Sequence, residues 1–510
     1  MARLHEYQGK SQLALRGVAV PRGSVARTPE DAAAIAETIG GPVVLKVQAW
    51  ITGRKAHGGV TFADTPQVAA SDASRLLEMS FGNFPVEEVL VEEQIEIIDE
   101  LFVSLSIDDA TAAPIVLIDC QGGSGIEDRA QTVARLPVDC VTGIDEDAVG
   151  DVLARSTIDP SRHRAIVEAI VAIVTTAKAI EARSLEVNPL VTTPGGGVVA
   201  ADCRVTIDDY AVFRHPELGI EIARELDHPA TELEKLAYEI ESQDHRGTFY
   251  FAQLPTQGHA SSNGLIGFHG AGGGGSMMSM DAATHEGFTL ANFTDTSGNP
   301  SAAKVYRAAR VILAQDGLVG YFGSGSGVAS QEQFHSAYGL SKAFLEMTMA
   351  IPVVIRLGGN SEDRAVEILH DACRDLPAPI EGFKKDDTPA ACATRFAELV
   401  AAHDSAITSQ SMMRRVPGFV GSDQAWSVPI DGGRLWIDTA SLDDAAAKTI
   451  ETFAGELLTI AQGRPELRVP PEVLANKDSE LIATEIELCR AGTPVLFVDL
   501  AIDALDGEGE

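Results

Sequence analysis

Between residues 264 and 400, short apolar segments alternate with helix-like segments, and this alternation constrains the fold more than any other feature of the chain. The apolar segments are residues 265–268, 289–293, 317–322 and 352–357. Such alternation is typical of a parallel sheet with helices on its faces, because parallel neighbours need long crossover connections. The sequence therefore predicts a parallel α/β domain here.

Glycine-containing segments follow three of these predicted strands, at residues 269–275, 297–299 and 323–327. In parallel α/β sheets, the loops after the carboxyl ends of the strands open helix N-termini and bind anions. A tight turn would explain any one of these segments. Three in one domain favour a surface that faces a ligand.

A second informative stretch is residues 185–202, which read LEVNPLVTTPGGGVVAAD. Two apolar runs around a Pro-Gly turn predict a β-hairpin. Glu186 and Asn188 are two residues apart and share a strand face, which Asp202 in the returning strand can also reach. Carboxylate and amide oxygens suit Mg²⁺, which keeps water ligands and relies on substrate phosphates. A polar strand face beside a turn is the alternative interpretation.

A lysine lies inside the apolar strand predicted at residues 42–48, directly before the glycine-rich and cationic loop at residues 53–59. Burial of an unpaired ammonium is costly, so Lys46 inside an apolar strand needs an explanation, and a bound phosphate would provide one. Glycine lets backbone N–H groups approach phosphate oxygens closely, which favours a phosphate site. The alternative is a lysine that extends its ammonium into solvent at a strand end.

Composition excludes several classes of function. The 510 residues have a net charge of −35, which argues against electrostatic binding to nucleic acid or to an anionic membrane. No run of eighteen apolar residues and no apolar N-terminal segment is present, so we expect neither a membrane span nor a signal peptide. The six cysteines are scattered, which indicates reduced thiols in a cytoplasmic protein.

Several short motifs occur in a specific order and spacing over roughly residues 1–400. They are residues 4–10 (LHEYQGK), 17–21, 44–48, 53–60, 91–92, 100–101, 186–190 (EVNPL), 202, 213–216 (FRHP), 266–272, 291–295 and 352–360. Together they resemble the β subunits of succinyl-CoA synthetases, in the ADP-forming acyl-CoA synthetase family with an ATP-grasp domain. The resemblance implies an ATP-grasp domain at residues 1–240 and a flavodoxin-like domain at residues 263–400.

The resemblance also implies roles for individual residues. Lys46 and the loop that contains Gly53 and Arg54 would hold the phosphates of ATP or GTP. The backbone near Glu92 would meet the purine, and Glu100 the ribose. Asn188 and Asp202 would bind Mg²⁺. Glu186 matches the catalytic glutamate that steadies a phosphohistidine of the partner subunit.

In this family, the implied partner is an α-like subunit with a CoA-binding domain and a phosphorylatable histidine. ATP would phosphorylate that histidine, the phosphate would pass to a small carboxylate, and CoA would displace it from the acyl phosphate. Two alternatives remain open: an ATP-grasp ligase that joins a carboxylate to an amine without CoA, and a non-catalytic or transferase-type paralogue. Intact Lys46, Asn188 and Asp202 argue against lost nucleotide binding.

The sequence departs from the family pattern mainly in the glycine-rich segments of the second domain. Residues 269–272 read HGAG where the family has NGAG, and residues 322–330 lack the family's arginine and aspartate. His269, Gly323, Ser324 and Gly325 are the predicted substrate-binding residues. His269 is interpreted as pocket-lining or structural rather than as a phosphoryl acceptor. We therefore expect succinate to be a poor substrate and another small, polar or anionic carboxylate to be preferred.

Residues 401–510 lie outside the resemblance. Strand-like segments at residues 434–438 and 493–499, with a helix-like segment at 445–462 between them, predict an α+β extension. Residues 217–262 are interpreted as the link between the first two domains. The predicted fold class is therefore a multidomain α/β and α+β protein.

Overall fold

The structure is a computed structural model that describes residues 2–49, 53–122, 133–224, 226, 228–243, 248–255, 262–325, 327, 329–403, 415–422, 425–430, 432–438, 483 and 485–500. These residues divide into two compact units, which separate between Ala230 and Thr231. Within the described residues, the helices fall short of the length and apolar character needed to cross a bilayer.

The first unit contains both helices and strands. Its helices are α1 (Glu6–Ala14), α2 (Pro29–Ile39), α3 (Pro66–Leu77), α4 (Glu146–Ala154) and α5 (Pro160–Ala179). Its strands are β1 (Arg3–Leu4), β2 (Gly23–Ala26), β3 (Val43–Val47), β4 (Val60–Ala63), β5 (Ser80–Phe81), β6 (Phe84–Pro85), β7 (Val89–Glu93), β8 (Asp99–Asp108), β9 (Ala113–Asp119), β10 (Ala134–Asp139), β11 (Gly143–Ile144), β12 (Ala182–Thr192), β13 (Val198–Ala200) and β14 (Arg204–Ile207). Two 3₁₀ turns follow, at Val212–Arg214 and Pro216–Leu218.

Two antiparallel sheets organise this unit. The smaller sheet has the order β2-β7-β3-β4 and packs its apolar face against α2 and α3. The larger has the order β1-β14-β12-β8-β9-β10-β11, with β13 paired to β12. Helix α5 packs on β12 and so supports the first strand of the predicted hairpin.

Local sequence explains the bounds of α2. The Thr28 hydroxyl accepts a hydrogen bond from the Asp31 N–H at 3.1 Å, and the Asp31 carboxylate accepts one from the Thr28 N–H at 3.1 Å. Pro29 occupies the first turn, where its missing N–H costs nothing. The helix ends at Gly40, whose φ of 72° is left-handed.

The second unit contains α6 (Glu232–Gln243), α7 (Gly273–His285), α8 (Ala302–Leu313), α9 (Phe334–Glu346), α10 (Glu362–Cys373) and α11 (Pro389–Ala402). Its strands are β15 (Tyr250–Gln253), β16 (Leu265–Ala271), β17 (Thr289–Leu290), β18 (Asn292–Asp295), β19 (Leu318–Gly325), β20 (Ala329–Glu332), β21 (Val353–Arg356), β22 (Gly359–Asn360), β23 (Ile380–Phe383), β24 (Trp426–Ile430), β25 (Gly433–Ile437) and β26 (Leu496–Leu500).

The main sheet of this unit confirms the predicted parallel α/β fold. Strands β18, β16, β19, β21 and β23 lie in that order and pair in parallel, which is the flavodoxin-like order 2-1-3-4-5. Tyr321 packs among α8 and α9 on one face, whereas Phe322 packs against Phe396 of α11 on the other. Both faces of the sheet are therefore covered by helices.

The second unit begins earlier than the sequence predicted. Helix α6 was assigned to the first domain and to the link, but its Leu236 and Ile240 lie in the core of the second unit with Tyr306. Strand β15, also assigned to the link, pairs antiparallel with β18. The amphipathic pattern of α6 explains this difference. Its apolar face has to be buried against a core, and that core belongs to the second unit.

The described part of the C-terminal region is integral to the second unit. Strands β24, β25 and β26 form an antiparallel sheet, and Ile486 and Leu500 join the same core as α8 and α9. The two strands predicted near residues 434–438 and 493–499 are therefore present. The helix predicted at residues 445–462 lies outside the described residues.

Candidate functional site

Helix α1 presents an ionic face to the protein interior. Its buried residues are Glu6, Gly9, Lys10 and Leu13, at the i, i+3, i+4, i+7 spacing of one helix face. A Cβ atom on Gly9 would lie 2.9 Å from the Cys203 sulfur, so glycine allows α1 to approach β14 closely. This approach brings Glu6 and Lys10 to Lys46 and Glu92.

Lys46 on β3 is held by three acceptors. Its ammonium lies 2.9 Å from Glu6 Oε1 and 3.0 Å from Glu92 Oε2, and it donates to the Ala201 carbonyl at 2.7 Å. Two carboxylates of the protein therefore compensate this ammonium, and a phosphate partner stays a prediction. Lys46 remains 12% exposed at its side chain, the larger exposure of the two lysines in this cluster.

Arg54 connects the glycine-rich loop to the hairpin. Its Nη2 donates to Asp202 Oδ1 and Oδ2 at 2.8 and 2.9 Å and lies 2.7 Å from Glu6 Oε2. The loop closes on itself through the Gly59 N–H, which donates to the Arg54 carbonyl at 2.8 Å. Gly53 and Gly58 have φ values of 65° and 75°, a left-handed backbone that glycine adopts without strain.

Opposite charges in this cluster stabilise the ionised forms of Glu6 and Lys46. Burial by itself raises the pKa of Glu6, but the neighbouring Lys46, Lys10 and Arg54 lower it overall. Burial by itself lowers the pKa of Lys46, and Glu6, Glu92 and Asp202 raise it overall. Glu6 and Lys46 are therefore ionised at neutral pH, and acidic and basic side chains alternate along the cluster.

The predicted hairpin is present beside this cluster. Strands β12 and β13 pair antiparallel, with Leu190 opposite Ala200. Half-buried Glu186 and Asn188 alternate with buried Leu185 and Val187, so they share a face as predicted. Asp202 was predicted in the returning strand, but it lies just after β13, in the segment that leads to β14. The Ala201 N–H donates to the Pro189 carbonyl at 3.1 Å, and this contact brings that segment next to Asn188.

The donor chemistry at this hairpin fits Mg²⁺. Asn188 offers an amide oxygen and Asp202 a half-buried carboxylate, whose charge Arg54 already compensates. Among the described residues, no group of three or more His, Cys, Asp and Glu side chains could hold a metal ion. Such a sparse set of protein oxygens suits a cation that completes its shell with water and phosphate oxygens.

The two residues predicted to lie near the purine and the ribose are on strands of different sheets. Glu92 is on β7, and its side chain faces the buried lysines. Glu100 is half-buried on β8, and its carbonyl accepts a hydrogen bond from the Gly122 N–H at 2.7 Å. Their roles toward a purine and a ribose stay predictions.

The predicted substrate residues of the second unit do not begin loops. His269 lies within β16, opposite Gly323 of β19, and Ser324 and Gly325 continue β19. The prediction of loops at these positions was wrong, because close packing and loop flexibility both select glycine. A Cβ atom at position 270 would lie 2.2 Å from the Ser276 hydroxyl, and one on Gly325 would lie 2.7 Å from the Ala271 carbonyl.

The His269 environment agrees with a structural role. Its Nδ1 lies 2.6 Å from the Tyr321 hydroxyl and its Nε2 lies 3.0 Å from the Thr296 hydroxyl. Burial lowers the pKa of His269 to about 4, so the imidazole is neutral at neutral pH. Ser324 is also buried, and its hydroxyl accepts a hydrogen bond from Ser279 at 2.8 Å. The binding of an acid by these residues stays a prediction.

Sequence reasoning missed Glu6 and Lys10. A glutamate and a lysine four residues apart on a helix usually form an exposed ion pair, and here the pair is buried. One signal was available, since residues 4–10 belong to the motif that resembles the family. The residues that bury the pair lie 82 and 191 positions away, so the local pattern could not reveal them.

Comparison with known proteins identifies the class of the first unit. The sequence profile of the ATP-grasp domain matches residues 3–192, which include Glu6, Lys10, Lys46, Arg54 and Glu92 and the first strand of the hairpin. The chain therefore contains a nucleotide-binding domain of this class.

The relatives then identify the family. The chain is 33% identical over 371 residues to the GDP-forming succinate–CoA ligase β subunit of Thermus thermophilus, covering 72% of this chain and 93% of that protein. It is 32% identical to the ADP-forming β subunit of Pyrobaculum aerophilum, covering 72% and 94%. The chain belongs to the family of succinate–CoA ligase β subunits, a family of CoA ligases that uses ATP or GTP, Mg²⁺ and CoA. Membership implies an α partner.

A solved structure supports the fold. ATP citrate lyase from Methanothrix soehngenii, in complex with citrate and coenzyme A, superposes with a TM-score of 0.63. Its sequence identity is 19%, and the match covers 78% of this chain and 99% of that chain. At this identity the likeness shows a shared architecture.

Proposed function

We propose that this chain is the nucleotide-binding β subunit of a cytoplasmic carboxylate–CoA ligase. It would use ATP or GTP to activate a small carboxylate as an acyl phosphate, which CoA then cleaves. The α-like partner would supply the CoA-binding domain and the histidine that accepts the phosphoryl group. The family relationship supports the ligase class, and the residues of the first unit support the nucleotide step.

The contact of Arg54 with Asp202 and Glu6 is the observation on which the nucleotide site depends. It joins a glycine-rich loop, the hairpin segment and the Lys46 strand into one charged cluster. Two cations from separate elements converge there, as phosphoryl transfer requires, because its catalysis is mostly positioning and charge stabilisation.

Each residue would then have a defined task. Lys46 and Arg54 would leave their carboxylate partners to contact the nucleotide phosphates. The backbone near Glu92 would contact the purine, and Glu100 would accept the ribose hydroxyls. Glu186 would hold the imidazole of the partner's phosphohistidine in position for transfer.

Asn188 and Asp202 are the residues that would hold Mg²⁺. The cation supplies charge neutralisation on the phosphate oxygens of the nucleotide. The hydrogen bonds from Arg54 to both Asp202 carboxylate oxygens support this proposal, because they fix the orientation of that carboxylate.

The test is co-purification of this chain with a neighbouring α-like subunit and a screen of carboxylates for ADP or GDP release. We expect nucleotide cleavage that depends on CoA and on one acid. Nucleotide cleavage that depends on an amine rather than on CoA would instead identify a carboxylate–amine ligase. No nucleotide binding by the chain or the complex would contradict the proposal.

A matched control makes the screen specific. Lys46→Met should lose turnover, because an apolar side chain cannot contact a phosphate. Lys178→Met, at an exposed position of α5, should retain the activity of the wild-type complex.

A further inference from the structure

Lys10 is a second lysine in the cluster, and it is more deeply buried than Lys46. Its side chain is 4% exposed, against 12% for Lys46. Its ammonium lies 2.7 Å from Glu6 Oε1, donates to both Glu92 carboxylate oxygens at 2.7 Å and donates to the Ala201 carbonyl at 2.9 Å. An ammonium has three donors, and these three groups use all of them.

Lys10 and Lys46 therefore share the same partners. Lys46 also contacts Glu6, Glu92 and the Ala201 carbonyl. Two lysines that compete for one set of acceptors need an explanation, because burial of each ammonium is costly. The difference in exposure suggests a division of tasks between them.

The explanation lies in what happens when Lys46 turns to a phosphate. Glu6 and Glu92 are both buried, and a buried carboxylate without a compensating cation is strongly destabilising. Arg54 partly compensates Glu6, but Arg54 is shared with Asp202. Lys10 contacts both oxygens of Glu92, so it keeps that carboxylate compensated after Lys46 has moved.

We propose that Lys10 is a positioning residue of the nucleotide site: its buried ammonium compensates Glu6 and Glu92 and thereby leaves Lys46 able to contact the nucleotide phosphates. This inference rests on the proposed function, since it assumes that Lys46 contacts phosphate. Lys10 itself touches no nucleotide. Without Lys10, Lys46 would have to compensate both carboxylates and would bind phosphate poorly.

The experiment measures ATP and adenosine affinity by calorimetry in the presence of Mg²⁺, with the purified chain. GTP and guanosine replace them if the wild type prefers guanine. In Lys10→Met, we expect ATP affinity to fall by about tenfold or more, since loss of one partner from a buried ion pair costs at least that much. Adenosine affinity should stay within about twofold, because adenosine has no phosphate for Lys46 to contact.

A charge-balance variant separates this role from simple packing. Lys10→Met combined with Glu92→Gln removes one cation and one carboxylate together, so Lys46 is released again. We expect the double variant to recover most of the wild-type ATP affinity. Lys178→Met is the matched control and should bind both ligands as the wild type does.

Three results would overturn the inference. They are unchanged ATP affinity in Lys10→Met, equal losses for ATP and adenosine, and no recovery in the double variant. If Lys10→Met does not fold, the double variant is compared with the wild type directly. Loss of ATP binding with retained adenosine binding in that double variant also overturns the inference. A wild type that binds neither ATP nor GTP would instead contradict the proposed function.

Discussion

At the scale of single residues, the Asp202 carboxylate combines contacts within the protein with a proposed role as a metal ligand. It accepts hydrogen bonds from Arg54 and from the Cys203 N–H, at 2.7 Å for the latter, and it is the carboxylate proposed for Mg²⁺. The hydrogen bonds from Arg54 and from the Cys203 N–H fix the orientation of this carboxylate. The Arg54 contact therefore prepares this oxygen donor without a bound metal ion.

The first prediction concerns Asp202→Ala. We expect Mg²⁺-dependent nucleotide turnover to be abolished in the complex, because the site loses its only proposed carboxylate ligand. The melting temperature should stay close to that of the wild type, since Asp202 is half-buried and Arg54 keeps Glu6. Asp151→Ala, at an exposed position of α4, is the matched control. Turnover at the wild-type rate in Asp202→Ala would remove this metal site.

The second prediction concerns the pH dependence of stability through His269. Its pKa is lowered to about 4 by burial, below the value of about 6.5 in an unfolded chain. The unfolded state therefore binds more protons between these values, and the stabilisation present above pH 6.5 is lost as the pH falls toward 4.

The size of this effect is measurable. At pH 4.5 the loss should be of order 2 kcal/mol, which follows from the separation of the two pKa values. The free energy of unfolding is measured for the wild type and for His269→Gln at pH 7 and at pH 4.5. The difference between the two proteins gives the contribution of His269, since a glutamine does not titrate. Equal pH dependence in the two proteins would show that His269 does not titrate as inferred.

Sequence alone predicted Lys46, Arg54 and Asp202 of the cluster and missed Glu6 and Lys10. Lys46, Arg54 and Asp202 stand out because a cation in an apolar strand, a glycine-rich loop and a hairpin each have a local pattern. Glu6 and Lys10 have no such pattern, since their burial depends on strands far along the chain. His269 was assigned to a loop because glycine gives no signal that distinguishes flexibility from close contact.

At the scale of elements, the C-terminal region is fastened to α8 and α9 by buried charges. Lys342 of α9 lies 2.7 Å from Glu346 and 3.2 Å from Glu485, and donates to the Leu496 carbonyl at 3.0 Å. Glu485 also accepts two hydrogen bonds from the Val495 N–H at 3.1 Å. The Glu485 carboxylate thus contacts both helix α9 and the residue directly before β26.

The third prediction follows from this contact. Glu485→Ala should lower the free energy of unfolding by about 3 kcal/mol or more, because it removes one partner of a buried pair. Glu487→Ala, whose side chain is 74% exposed, should change stability by about 0.5 kcal/mol or less. Urea unfolding of the full chain measures both. Similar stabilities would mean that the buried contact does not fasten this region.

Sequence patterns predicted the types of these elements better than their extents. The alternation after residue 264 gave the parallel sheet, because each buried strand is apolar on both faces. It could not give the ends of β16 and β19, where glycine continues the strand. The pattern also could not show to which of the two units α6 belongs, since an amphipathic helix does not indicate which core it covers.

At the scale of the whole molecule, the fourth prediction concerns partnership. The purified chain should bind nucleotide but make no acyl-CoA, because the phosphoryl-accepting histidine is proposed for the partner. His269 does not replace it, since both of its ring nitrogens already contact hydroxyl groups. Nucleotide binding and acyl-CoA formation are measured separately, with and without the α-like subunit. Acyl-CoA synthesis by the single chain would contradict this prediction.

The fifth prediction concerns the acid. We expect succinate to be a poor substrate of the complex, because residues 322–330 lack the arginine that could pair with a second carboxylate. A comparison of kcat/KM for succinate, malate, citrate and a sulfonated acid tests it, since specificity is a ratio of these values. An advantage of succinate by about tenfold would show that these differences do not set specificity.

The alternating charges around Lys46 and Arg54 bear on how a reaction cycle ends. Under the proposed function, the cations would not have to be hydrated when product leaves, because Glu6, Glu92 and Asp202 already lie within contact distance of them. Departure of ADP or GDP would then be an exchange of one anion for another within the same site. The protein's own carboxylates would assist the release of product by competing with phosphate for the same cations.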